Sequence, residues 1–301
     1  MNGNSYPLKN NKINIAISEG DKLKYCTFTG STMDILIGLI FLLNKHKTAC
    51  SVLNKNFKEN KELNKYYKSV NMCGSKCEFL NYEIVWIRNR LYLPENFHDN
   101  MKKCLKATNK NFIIVPLGIE LPEGNHSNYI IYDKILNEVE RFEPHGHGSP
   151  IGFDYNANGL DNKLTSIFTD INHNVKYVSP KDFLPKISFQ MLDTYERNQS
   201  KIGDPGGFCA LWSIWYVDMR LTYHNSTRNE LVKEMITVLK KKNISFKNLI
   251  RNYAKNIMDI RDGIFSNAGI DVNDWLNDQY TAQQSDTIID ELIVKISNIE
   301  I

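Results

Sequence analysis

Between Phe208 and Tyr223 apolar residues fall on almost every face of a helix. Such a helix has to be covered on all sides, so it predicts a central, buried element with layers packed around it. The chain's 301 residues suffice for one large domain or two small ones. Apolar residues at 42% and charged residues at 24% match a soluble globular protein. A net charge of +3 is too small by itself to mark a nucleic-acid binder. No run nears the roughly 18 apolar residues of a membrane span. The longest, Ile35–Leu43, contains Gly38 and reads as a buried helix. Neither a nucleic-acid nor a membrane partner is expected.

No apolar stretch of a secretory signal follows the first residues. The six cysteines are too scattered for a disulfide scaffold, so a reducing compartment is expected. No internal repeat stands out.

Residues 1–20 read as an extended start. Ser31 or Thr32 is placed to cap a helix from Met33 to His46, with Asp34 in its first turn. The polar stretch 54–68 reads as a solvated helix or loop. Tyr82–Leu93 is rich in aromatic and β-branched residues and reads as a strand or hairpin. A helix over 95–107 and the apolar run Phe112–Leu121 follow. Tyr129–Asp133 and Glu138–Glu143 read as a β-hairpin, and Val175–Val178 as a short strand. Helices are expected at 208–223, 227–242, 246–265 and 287–296. Strands in the middle and helices at both ends argue for an α+β fold.

Three segments carry chemistry. His126 stands at the entrance of an apolar strand, in GNHSNYIIYD. Glu143 ends the next strand ahead of a Pro-His-Gly turn, 17 residues later. Cys209 follows Gly206 and Gly207 at the head of the apolar helix, in DPGGFCALWS. A helix N-terminus lowers a thiol pKa. Two glycines leave room for a substrate backbone. An imidazole can take the thiol proton, and a carboxylate on its far nitrogen fixes the tautomer. If the hairpin forms, His126 and Glu143 can meet.

The order His, acid, Cys resembles the papain-like cysteine proteases grouped with the SUMO proteases and the adenovirus protease. The segments HSNYIIYD, VERFEPHG and PGGFCALWSIWYVDMRL are more similar still to thiol proteases encoded by large DNA viruses. That likeness spans about residues 110–225, and residues 31–50 share it. It implies a papain-like fold with a small sheet packed on the Cys209 helix. Residues 1–110 would be a mostly helical extension or substrate-binding arm, and residues 111–301 the catalytic core with C-terminal helices. It implies Cys209 as nucleophile, His126 as general base and Glu143 as orienting acid. Gln190 would donate to the oxyanion, with Gln199 the runner-up, because position 203 is Gly where SUMO proteases carry Gln. Gly206, Gly207, Trp212 and Asn128 would meet substrate. The implied substrate is a protein with a Gly-Gly-type cleavage site, a viral precursor or a ubiquitin-like conjugate. The implied location is host cytoplasm or virion. Ser127 stands where SUMO proteases carry Trp, which weighs against SUMO itself.

Plainer readings compete. Cys209 alone reads as a core cysteine, and Trp212, Trp215 and Tyr216 as a core stripe. Asp133 and Asp154 are less well placed acids. His145 and His147 read as turn residues, and Cys73 and Cys77 lack a completing pair, so neither a metal site nor a cofactor is expected. Two rivals remain. One is an acetyltransferase of the same fold; the other is a non-catalytic virion or host-interaction protein.

Overall fold

The structure, a computed structural model, describes residues 13–15, 26–53, 55–70, 81–121, 124–148, 155–196 and 207–299. Gly206, Gln199, Asp154, Cys73, Cys77 and most of the expected extended start lie outside the described residues.

The elements run α1 (Thr32–Lys45), β1 (Ala49–Cys50), α2 (Lys61–Ser69), β2 (Ile84–Ile87), β3 (Arg90–Tyr92) and α3 (Phe97–Lys106). Next come β4 (Phe112–Leu121), β5 (Gly124–Asp133), β6 (Glu138–Phe142), α4 (Ala157–Ile171), β7 (Lys176–Val178), α5 (Pro180–Phe183) and α6 (Phe189–Thr194). The chain continues with α7 (Cys209–Thr222), α8 (Arg228–Lys241), α9 (Phe246–Asn267), α10 (Val272–Leu276) and α11 (Ala282–Ser297).

The strands form one mixed sheet in the order β3-β2-β4-β5-β6-β7, with β1 also on β4. Strand β4 is its spine, because FIIVPLGIEL is apolar on both faces and can be covered on both. It pairs along its whole length with β5, from Phe112 opposite Asp133 to Leu121 opposite Gly124. It takes β1 and β2 in parallel. Residues on both sides of position 110 thus share the sheet. The expected hairpin is β5–β6, in which Tyr129 faces Phe142. The 82–93 segment closes as β2–β3 through Arg88 and Asn89, both at positive φ, the backbone of a two-residue hairpin loop.

Two layers of side chains follow from strand alternation. Phe112, Ile114, Tyr129, Ile131 and Phe142 pack into a core shared with α1, α7 and α9. Ile113, Val115, Ile130, Tyr132 and Val139 pack into a second core shared with α3 and α4. As its sequence required, α7 is buried nearly all round, with Leu211, Trp212, Ile214, Tyr216 and Val217 at zero exposure.

The segregation of strands and helices is incomplete. Parallel pairs β2–β4 and β6–β7 need crossover connections. Helix α4 supplies much of the second crossover in a segment for which no element was expected. Its signal was present: Leu160, Leu164 and Phe168 recur every four residues and are all buried, and Asn156 caps its start. Likewise α2 is not merely solvated, since Leu63 and Tyr67 bury one face.

Helix α1 approaches α7 at Gly38. A methyl there would lie 2.4 Å from the Cδ1 of Ile214. Gly38→Ala is therefore expected to destabilise by about 1–3 kcal/mol from overpacking, despite Ala's better helix propensity. The same change in an Ile214→Val background should cost clearly less. Denaturant melts of the four chains read this as a coupling energy.

Candidate active site

The hairpin builds the first half of the site. Tyr129 faces Phe142, so the next pair outward sets Asn128 beside Glu143. Strand alternation places His126 on the same face as Asn128. The His126 Nε2 lies 2.6 Å from Glu143 Oε1. The Asn128 amide donates to the other carboxylate oxygen at 3.1 Å, and the Tyr155 hydroxyl donates to that oxygen at 2.6 Å. The His145 backbone N–H donates to Oε1 at 3.1 Å. Arg141 holds this scaffold from behind: it donates to Asn128 Oδ1 at 2.7 Å and grips Asp161 of α4 with two nitrogens. Glu143 thus meets the His126 ring and accepts from three further donors. His126 is 1% exposed and Glu143 5%.

Helix α7 builds the second half. Phe208 at its N-cap makes no side-chain cap, so the first backbone N–H groups of the helix are left for other acceptors. The backbone N–H groups of Ser127 and Ala210 meet the Cys209 sulfur, and the sulfur and the His126 ring act on one another's charge. Nε2 of that ring is committed to Glu143, so Nδ1 is the ring nitrogen left to exchange a proton with the sulfur.

The three groups shift one another. Burial pushes the Cys209 thiol up, but the hydrogen bond and charge of His126, with those two N–H groups, bring it below its ordinary value. Burial would depress His126; the Glu143 carboxylate and the Cys209 sulfur outweigh it and raise the imidazole to about 10. Burial would raise Glu143; the His126, His145 and Arg141 charges hold it well below the usual carboxylate range. All three directions favour thiolate beside imidazolium.

A second imidazole completes the local environment. His145 stacks on His126 at 4.5 Å between ring centroids, with the planes 3° apart. Burial and the neighbouring His126 charge lower His145 to about 4, so it stays neutral beside a cation. His126, Glu143 and His145 offer ligand atoms within 4.8 Å of one another. A cation there would have to displace the His126–Glu143 hydrogen bond.

Cys209 and His126 line a cleft of about 160 Å³. Its walls come from the turn before α1, from α2, and from the ends of β2, β4 and β5. Gln190 is 5% exposed, and its Nε2 comes within 2.7 Å of where a Cβ on Gly207 would stand. The Gln190 amide therefore fills the space that glycine leaves, two residues before the sulfur. Asn128 and Trp212 are not open to a substrate. Asn128 is fully buried holding Glu143. Trp212 is fully buried against Phe189, and its indole N–H donates to Asp193. Sequence reasoning missed Tyr155, Arg141 and Asp161, because a carboxylate's supporting donors follow no spacing rule.

No family model matches the chain. Over 294 residues it is 37% identical to an ankyrin repeat protein of Acanthamoeba polyphaga mimivirus, a match that takes in 95% of this chain and 38% of that protein. The chain therefore spans well under half the length of this relative. Among solved structures it is similar to the Chlamydia trachomatis effector ChlaDUB1, with a TM-score of 0.35 and 8% identity over 75% of this chain and 86% of that one. The Chlamydia abortus effector ChlaDUB gives 0.31 and 13% over 72% and 97%. A de-sumoylating protease gives 0.28 and 11% over 87% and 86%. None of these scores reaches the level of a shared fold, so the chemistry has to be argued from the residues themselves.

Proposed function

We propose that this chain is a cysteine peptidase or isopeptidase that works through Cys209, His126 and Glu143. The observation that carries the reading is the buried His126–Glu143 hydrogen bond on the same cleft as Cys209, with the thiol pKa lowered and the imidazole pKa raised. A core cysteine gains nothing from such an arrangement. In the reaction, the Cys209 thiolate attacks a carbonyl carbon and forms a tetrahedral oxyanion. Collapse expels the amine, which takes its proton from the His126 imidazolium, and leaves a thioester. His126 then removes a proton from water, the hydroxide attacks the thioester, and the thiolate departs. Glu143 holds the ring and stabilises its cation throughout. The Gln190 amide and the backbone N–H of Cys209 are the proposed oxyanion donors.

The substrate we propose is a polypeptide with a Gly-Gly-type site, in a precursor protein or a ubiquitin-like conjugate. The modest volume of the cleft that Cys209 lines supports small residues next to the scissile bond. Walls drawn from residues 30–85 support the reading of residues 1–110 as part of a substrate-binding arm. Action in host cytoplasm or virion is part of the same proposal. Among the described residues no helix is long and apolar enough to cross a membrane.

The test is a Gly-Gly peptide ending in a thiol-reactive vinyl sulfone. It is expected to label Cys209 alone, to fail completely with Cys209→Ala, and to label His126→Ala far more slowly. Equal labelling of several cysteines, or none, would remove the basis for this reading.

A further inference from the structure

Among the described residues seven carboxylates are buried: Asp34, Glu83, Asp133, Glu140, Glu143, Asp193 and Asp218. Six have partners. Asp34 meets Arg261 and Thr29, Asp133 and Glu140 share Arg220, and Glu143 has its four partners. Asp193 accepts from Trp212, and Asp218 from Lys45 and Tyr253. Glu83 is the exception. It is 8% exposed, and among the described residues no donor or cation reaches it. Burial is the cause of its raised pKa, at about 7. A buried carboxylate costs free energy, and among the described residues no donor returns it.

Its location suggests what offsets that cost. Glu83 lines the same cleft as Cys209 and His126. Its Oε2 sits 3.1 Å from where a Cβ on Gly118 would be, so the missing side chain there leaves the carboxylate its place. Glu120, two residues further along β4, lines the cleft too and accepts from the Tyr67 hydroxyl. No lysine or arginine is among the cleft's described lining residues. The cleft therefore offers a negative potential between apolar walls of Leu63, Val85 and Ile119, where a charge-assisted contact gains strength from exclusion of water.

We propose that Glu83 is the recognition group for a cationic side chain, Lys or Arg, of the polypeptide that the cleft leads to Cys209. This rests on the peptidase reading above and narrows its substrate class: small residues at the scissile bond, with a basic residue a short distance along the chain. Arg suits the site best if both of its terminal nitrogens reach the carboxylate.

The experiment measures binding and so does not depend on turnover. Fluorescent peptides with a central Gly-Gly carry Arg, or the neutral isostere citrulline, at each flanking position in turn. Anisotropy reads their affinity for the Cys209→Ala chain. At one position Arg is expected to bind about 10- to 100-fold more tightly than citrulline. In Cys209→Ala/Glu83→Gln that ratio should collapse to near one. Retention of a cooperative melt by Glu83→Gln shows that the fold survives, and the ratio in the Cys209→Ala chain is decisive even where that variant does not fold. Equal binding of Arg and citrulline at every position overturns the proposal, as does a preference that survives Glu83→Gln. Arg preference without labelling of Cys209 by the vinyl sulfone leaves the subsite standing and sinks the peptidase reading. Labelling without Arg preference does the reverse, and no binding by any peptide of the set overturns the subsite.

Discussion

His126→Ala is expected to slow alkylation of Cys209 by iodoacetamide by about 100-fold at pH 6, since each unit of thiol pKa is a tenfold change in thiolate population. The sign follows from the competing influences on the sulfur. Burial raises its pKa, and His126 is the first of the groups that bring it down. Without the imidazole, burial acts against only the two backbone N–H groups. The sulfur then titrates as an ordinary thiol or above. A less acidic thiol gives a more nucleophilic thiolate, which recovers part of the loss and is why the expectation is not larger. With His126 present, the alkylation rate should hold a plateau whose alkaline end lies near 10, where the imidazolium loses its proton. Glu143→Gln keeps the shape of the carboxylate and removes its charge. Because that charge raises His126, the alkaline end of the plateau should move to lower pH. Superimposable profiles for the unaltered chain and His126→Ala would show that sulfur and ring are uncoupled.

Gln190→Ala is expected to lower kcat on a Gly-Gly peptide amide by about 10²- to 10³-fold with little change in KM, the loss typical of one oxyanion donor. The Gln190 Nε2 stands in the place a Gly207 side chain would take, and its Oε1 is buried with no hydrogen-bond partner. An amide held with an idle acceptor reads as one kept for its N–H groups. The charge that develops on the substrate carbonyl oxygen exists only in the transition state, so the effect belongs in kcat. Alkylation of Cys209 forms no oxyanion and should fall far less in the same variant. Gly207→Ala offers an independent approach: its Cβ would meet the amide at 2.7 Å and push it away. An equal fall of both rates in Gln190→Ala would assign the residue to packing.

The sequence carried the central features of this site for a physical reason. Short-range patterns encode the strand alternation of β5, the turn after Glu143 and the all-round apolarity of α7, and each element brings one candidate group. The spacing of His126 and Glu143 was legible because a hairpin converts chain separation into a cross-strand neighbour. What stayed hidden depends on contacts across the fold. Asn128 looked like a substrate contact until Arg141, Asp161 and Tyr155 turned it into a brace for Glu143. Trp212 shares the Cys209 face of a helical projection, yet Phe189 and Asp193 of α6 cover it. The parallel pairing of β2 with β4 and the burial of Glu83 likewise follow from no local rule.

The hairpin and the helix that meet at the sulfur differ in how they reach their places. The acid and the imidazole sit on adjoining strands, so that half can form as soon as this short stretch of nascent chain is free to fold. The sulfur cannot join them until α7 is roofed by α1 and α9, elements more than two hundred residues apart in sequence. Closing so long a loop is slow. A chain cut short before α9 is therefore expected to leave Cys209 undocked from the His126–Glu143 pair.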